Sequence, residues 1–189
     1  MLGRMKRSSL FKAGALLLAS TLSFCCLVSV FAQDTSKPST ADLAASANEL
    51  HILSYTKPGE LVLKLSDFKA LPYTNIAVHN EHSKADENYS GVRLADLLAK
   101  MDAPLGHDLR GEALAAYVAA IGSDGYVAVI ALAEADPAFH PGEVIVADAM
   151  NGQPLDAKSG PFKLIVSEDK RPARWVRNLV SIQLLRTTK

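Results

Sequence analysis

The chain has 189 residues, 49% of them hydrophobic and 6% aromatic, and its 20 basic side chains balance its 20 acidic ones. This balance excludes the global basic excess that nucleic-acid binding favours, so charge has to be read locally. Once an N-terminal targeting segment is set aside, the remaining length suits one modest domain with its own core and leaves no room for a second.

Arg4, Lys6, Arg7 and Lys12 precede an uncharged run from Ala13 to Val30, and Val30-Phe31-Ala32 then presents a small-residue exit. The pattern predicts a signal peptide over residues 1–32, a mature start at Gln33 and a periplasmic or secreted protein with no stable membrane anchor after cleavage. A retained anchor is the alternative, because the run approaches the length of a spanning helix. Both cysteines, Cys25 and Cys26, lie inside this run. The mature chain therefore carries no thiol and no disulfide framework. Residues 33–49 are dominated by Ser, Thr, Ala and Asp and read as a flexible leader, with the domain expected over residues 50–189.

Leu50-His51-Ile52-Leu53 and Leu61-Val62-Leu63-Lys64-Leu65 flank the turn Lys57-Pro58-Gly59-Glu60, and both predict strands. Ser66-Asp67-Phe68 begins a helical turn that Pro72 stops, and Ile76 to Asn80 predicts a third strand. Glu81 to Tyr89 is polar and aperiodic and reads as a loop. Leu94, Leu97, Leu98 and Met101 fall at helical spacing, which predicts an amphipathic helix from Val92 to Lys100 with Ser90 near its cap. Leu114 to Ile121 and Tyr126 to Ile130 flank Asp124-Gly125 and predict a hairpin. Leu132 to Ala135 adds a helical turn and Val144 to Ala147 a buried strand. Asn151-Gly152 is the strongest turn signal. Phe162 to Val166 and Leu179 to Leu185 supply the closing strands. The mixture predicts an α+β fold with a mixed β-sheet and short helices.

Five elements then occur in one order: Gly91-Val92-x-Leu94-x-Asp96-Leu97-Leu98, Asp124-Gly125-Tyr126, Ala147-Asp148-x-Met150-Asn151-Gly152-x-Pro154-Leu155, Gly160-Pro161-Phe162-x-Leu164-x-Val166, and Arg174-Trp175-Val176. The pattern resembles the molybdopterin-binding domain of the sulfite oxidase family, in its small exported stand-alone form, over roughly Leu50 to Leu185. The resemblance implies a domain in which a pyranopterin holding molybdenum lies in a polar cleft and the metal performs oxygen-atom transfer. In catalytic members a cysteine just before the Gly-Val-x-Leu element ligates the metal. The corresponding stretch here, Val78 to Lys84, has none, and a hydroxyl such as that of Ser83 does not replace a soft thiolate.

Two candidate sites follow. His79, Asn80 and His82 occupy the stretch where the cysteine is missing; they read as a solvated polar loop, a weak metal site or a residual pterin or anion contact, and no metal ligand set is assigned. The run Glu168 to Arg177 places four cations and one indole within ten residues, and such cations suit phosphate oxygens. The resemblance makes Arg174 the family-equivalent cation, Arg171 a second contact and Trp175 a packing residue beneath the cleft. The structural alternative pairs Glu168 and Asp169 with these cations and places Trp175 in the core. Asp124 and Asp148, beside turn residues, read as backbone-shaping. If the family geometry persists, His79, Asn80 and His82 face Arg171 and Arg174 across one polar pocket.

Two functions remain open at this point. One is a redox protein that binds a pterin molybdenum cofactor without cysteine ligation, or works with a redox partner protein. The other is a non-catalytic module that keeps the fold and uses the basic cleft for an anionic small ligand or a partner.

Overall fold

The first and last strands of the described residues, β1 (Glu49–Ser54) and β10 (Leu179–Arg186), lie side by side in parallel, with His51 opposite Ser181 and Ser54 opposite Leu184. The computed structural model describes residues 48–187. The expected signal peptide and nearly all of the leader lie outside the described residues. Glu49, expected to end the leader, is already the first residue of β1.

Two sheets build the domain. The first has the order β2 (Glu60–Lys64), β1, β10, β5 (Ala116–Gly122), β6 (Val127–Ala131). The second runs β3 (Thr74–Asn80), β4 (Ala85–Arg93), β7 (Val144–Met150), β8 (Gln153–Pro154), and β9 (Lys163–Val166) also pairs with β7. All pairs except β1–β10 are antiparallel. The helices α1 (Leu65–Lys69), α2 (Leu94–Ala99) and α3 (Leu132–Ala135) are brief, as the α+β expectation requires.

Alternation along the strands sends one side chain set inward, and the inward sets of both sheets share a core. Leu50, Ile52, Val118, Ile130 and Ile182 of the first sheet belong to the same buried cluster as Ile76, Tyr89, Val146 and Leu164 of the second. Each such apolar side chain contributes about 1.5–3 kcal/mol on burial. Phe68 of α1 packs edge-on against Phe162 at 5.0 Å between ring centroids, which ties the helix to the approach to β9.

Both glycine turns form as expected. Gly125 has φ +83° between β5 and β6, and Asn151 and Gly152, at φ 52° and 75°, close the β7–β8 turn. Asn151 also exchanges hydrogen bonds with the Asn88 backbone, which fixes this turn against β4.

The region from Glu81 to Arg93 departs from the expectation. Only Glu81 to Lys84 form a turn; Ala85 to Arg93 are strand β4, paired with both β3 and β7. The helix is correspondingly shorter and starts at Leu94, and Ser90 lies in the strand rather than near a cap. The alternation was hidden because the polar Glu87 takes an inward position beside Tyr89 and Gly91. Gly91 is required there: a Cβ would fall 2.0 Å from the Val146 carbonyl oxygen. The register slips at this point, leaving Asp148 as the extra residue of a β-bulge rather than a turn residue. Its side chain is 4% exposed, with Lys69 Nζ 3.8 Å from Oδ2 and no hydrogen bond to Oδ1.

Candidate ligand site

β9 is buried along its whole length, so a lysine at its first position becomes a buried cation. Lys163 is only 8% exposed. An ammonium held out of water is costly unless other groups replace its hydration. Here Nζ donates to the Tyr89 hydroxyl at 2.7 Å and lies 4.7 Å from the Tyr89 ring centroid and 5.5 Å from that of Trp175. The aromatic faces favour the cation. One of its three N–H donors is used in this way, and no carboxylate forms an ion pair with it among the described residues.

Behind Lys163 stands a chain of polar contacts. Tyr89 donates to Glu87 Oε2 at 2.8 Å, and Glu87 also accepts from Asn80 Nδ2 at 3.0 Å and Ser83 Oγ at 2.9 Å. Burial opposes ionisation of Glu87, but these hydrogen bonds and the charge of Lys163 outweigh it and hold the carboxyl below its ordinary range. Burial, with Glu87 next, pushes the Tyr89 phenol up, so it stays protonated and donates. Lys163 is pulled down chiefly by burial and by Arg177, with Glu87 and Asp156 acting the other way.

In front of Lys163 opens a cavity of about 480 Å³. Asn80 and His82 at the tip of the β3–β4 hairpin form one wall, Asp124 and Tyr126 from the β5–β6 turn another, and Arg177 and Ser159 a third. The Tyr126 hydroxyl donates to the Ala173 carbonyl at 2.6 Å and so joins the β5–β6 turn to the 3-10 turn Pro172–Arg174. Asp124 shapes its own turn, as expected, by accepting from the Tyr126 backbone at 2.9 Å. The Arg177 side chain is exposed and forms no ion pair among the described residues. Two cations thus meet in one cleft without a paired carboxylate.

A wider groove of about 1030 Å³ adjoins this cavity along His82, Pro172 and Ala173, and it has His79 on one side and Arg171 on the other. His79, His82 and Arg171 thus line one groove, while Asn80 lines only the first cavity. The expected juxtaposition does not hold for Arg174. Its guanidinium is bound bidentately by Asp169, at 2.6 and 2.9 Å, and by Glu134 at 3.1 Å, and it lines a separate small cavity. Asp169, against burial and with Glu134 in support, raises the Arg174 pKa further. Trp175 is 5% exposed and donates its indole N–H to the Val166 carbonyl, so it packs under the cleft as core. His79 is tied to Asp86 at 2.7 Å on the rim, and no group of metal-binding side chains occurs among the described residues.

Residues 49–189 match the family model for the oxidoreductase molybdopterin binding domain. The chain belongs to that family. The molybdopterin-binding domain is also similar in fold to a crystal structure of the sulfane dehydrogenase SoxCD from Paracoccus pantotrophus, with a TM-score of 0.57 at 17% identity. That match covers 80% of this chain and 40% of the SoxCD chain, so the domain spans well under half the length of its neighbour. No curated protein matches the sequence.

The donor set of the molybdopterin-binding domain tests the fit of such a cofactor. Lys163 and Arg177 offer cationic donors suited to a phosphate. No cysteine follows residue 26, so the cleft offers no thiolate to a metal. The fit holds for the anionic part of a phosphorylated pterin and not for thiolate ligation. Sequence reasoning missed Lys163 and counted Arg177 only as one of the four cations of its run. The signal for Lys163 was a lysine inside the apolar run Phe162 to Val166.

Proposed function

We propose that this exported domain binds a phosphorylated pterin of the molybdopterin type in the Lys163–Arg177 cleft, and that no thiolate of the chain reaches the metal. Lys163 carries the reading. It is a buried ammonium with unused donors at the floor of a cavity, beside a second unpaired cation. A molybdenum-bearing pterin, when bound, supplies oxygen-atom transfer. The chain's own residues hold the anionic end, with Arg177 at the wall and Asn80, His82 and Arg171 at the mouth. Arg174 acts at one remove, by fixing the loop that carries Arg171.

The absence of a thiolate favours a second reading: a module that binds a small anion or a partner protein and carries no metal. Metal analysis and pterin fluorescence of protein purified from a cofactor-producing host separate the two. Molybdenum and pterin in equal amounts support the first. Sulfate or phosphate binding without pterin leaves the second.

A further inference from the structure

Glu87, one of two carboxylates whose charge acts on Lys163, forms no direct contact with it. Glu87 reaches the ammonium only through the Tyr89 hydroxyl, by contacts of 2.8 and 2.7 Å. A direct ion pair would occupy the donors of Lys163 and aim them away from the cleft, whereas a relayed one leaves them available. The same carboxylate accepts from Asn80 and Ser83, which sit at the hairpin tip that walls the cavity. Asn80 Oδ1 in turn accepts from the His82 backbone at 2.9 Å. One side chain therefore joins the cleft floor to its wall.

We propose that Glu87 and Tyr89 are positioning residues for Lys163, keeping its ammonium charged and aimed into the cleft. The proposal rests on reading Lys163 as the ligand cation. Its surroundings are Glu87 and Tyr89 from β4, Trp175 and Arg177 from the segment before β10, Asp156 from the loop before β9, and His82 and Asp124 across the cavity. Glu87 and Asp156 favour the charged form; burial and Arg177 oppose it. Of these two favourable charges, Glu87 is the one linked to Lys163 by hydrogen bonds among the described residues.

The test titrates the Lys163 side chain by its carbon-13 resonance, assigned with Lys163→Arg, in wild type and Glu87→Gln without ligand. Sulfate affinity is measured alongside by calorimetry across pH 6–10, a range over which sulfate keeps its charge. The Lys163 midpoint falls by about one unit in Glu87→Gln, in keeping with loss of one nearby charge. At the acidic end sulfate binds Glu87→Gln at least as tightly as wild type, because a carboxylate has left the neighbourhood. Towards the alkaline end it binds progressively more weakly, the loss approaching tenfold at pH values above both midpoints, where one unit of midpoint is a factor of ten in the charged fraction. In a Lys163→Arg background, where the cation stays charged, the alkaline loss disappears. Tyr89→Phe, which cuts the relay and keeps the ring, lowers the midpoint in the same direction and covers the case in which Glu87→Gln does not fold. An unshifted midpoint in a folded variant overturns the proposal whether or not sulfate binds, and so does a loss of affinity that is equal at all pH values. Failure of wild type to bind sulfate, with the midpoint shifted, overturns the ligand reading instead and leaves the relay standing.

Discussion

Arg174 and Asp169 form a two-point fork, Nε to Oδ2 at 2.9 Å and Nη2 to Oδ1 at 2.6 Å, and Glu134 closes on the same guanidinium from α3. Both sides are partly shielded from solvent, at 33% and 16% exposure. The fork thus closes the loop after β9 on itself, and Glu134 fastens that loop to α3.

Arg174→Ala accordingly costs stability more than affinity. A partly exposed bidentate pair is worth about 1–2 kcal/mol after screening, to be read from urea unfolding. Sulfate affinity stays within about twofold of wild type. A tenfold loss of affinity with unchanged stability would return Arg174 to the cleft.

Lys163→Met has the opposite profile. It removes the ammonium and keeps a long apolar stem in the core, so sulfate or pterin-phosphate affinity falls about tenfold or more, since charge-assisted contacts contribute about 1.5–3 kcal/mol each. Thermal stability is unchanged or higher, because a buried cation no longer has to be desolvated. Calorimetry and a melting curve on the same preparation check both halves.

Gly91→Ala puts a methyl group 2.0 Å from the Val146 carbonyl, where backbone rather than a flexible side chain must yield. The expected loss is about 3 kcal/mol. A variant as stable as wild type in urea would show that the β4–β7 pair can move apart at little cost.

Acid stability carries the mark of Glu87. Its folded pKa is lowered by hydrogen bonds from Tyr89, Asn80 and Ser83 and by Lys163, against burial. A depressed carboxyl contributes stability above its unfolded value of about 4.3 and loses it as pH falls through the folded value. Glu87→Gln is therefore less stable than wild type above pH 5, and the gap narrows as pH falls below about 4. Parallel pH–stability curves for the two proteins would refute this.

Export is checked directly. Sequencing of the N-terminus of the periplasmic or secreted protein is expected to begin near Gln33. Recovery only from membranes with Met1 in place would overturn it.

Much of this fold was legible because turn chemistry and apolar runs agree. Asp124-Gly125 and Asn151-Gly152 need the positive φ values that they adopt, and the runs at Leu50, Leu61, Val144 and Leu179 each became a strand. β4 was not legible, because its inward positions are a glutamate, a tyrosine and a glycine rather than aliphatic residues. The site failed for the same reason. Lys163 is buried and Glu87 half-buried; both depend on polar neighbours that only the three-dimensional pairing of β4 with β3 and β7 brings together. His79 and His82 were singled out because they occupy the stretch where the family's cysteine would stand, and Arg171 by the cations around it, whereas the guanidinium of Arg174 is also claimed by Glu134, 40 residues away.

The parallel pairing of β1 with β10 has a consequence for synthesis. β10 lies in the middle of the first sheet, between β1 and β5, yet it is made last of all the described strands. A ribosome that has delivered everything up to Asn178 has delivered a sheet with a gap at its centre: the β1–β2 pair on one side, the β5–β6 hairpin on the other, and the strand that bridges them absent. Such non-local closure is slow and comes late. The nascent domain therefore stays open until β10 emerges and closes the gap between β1 and β5.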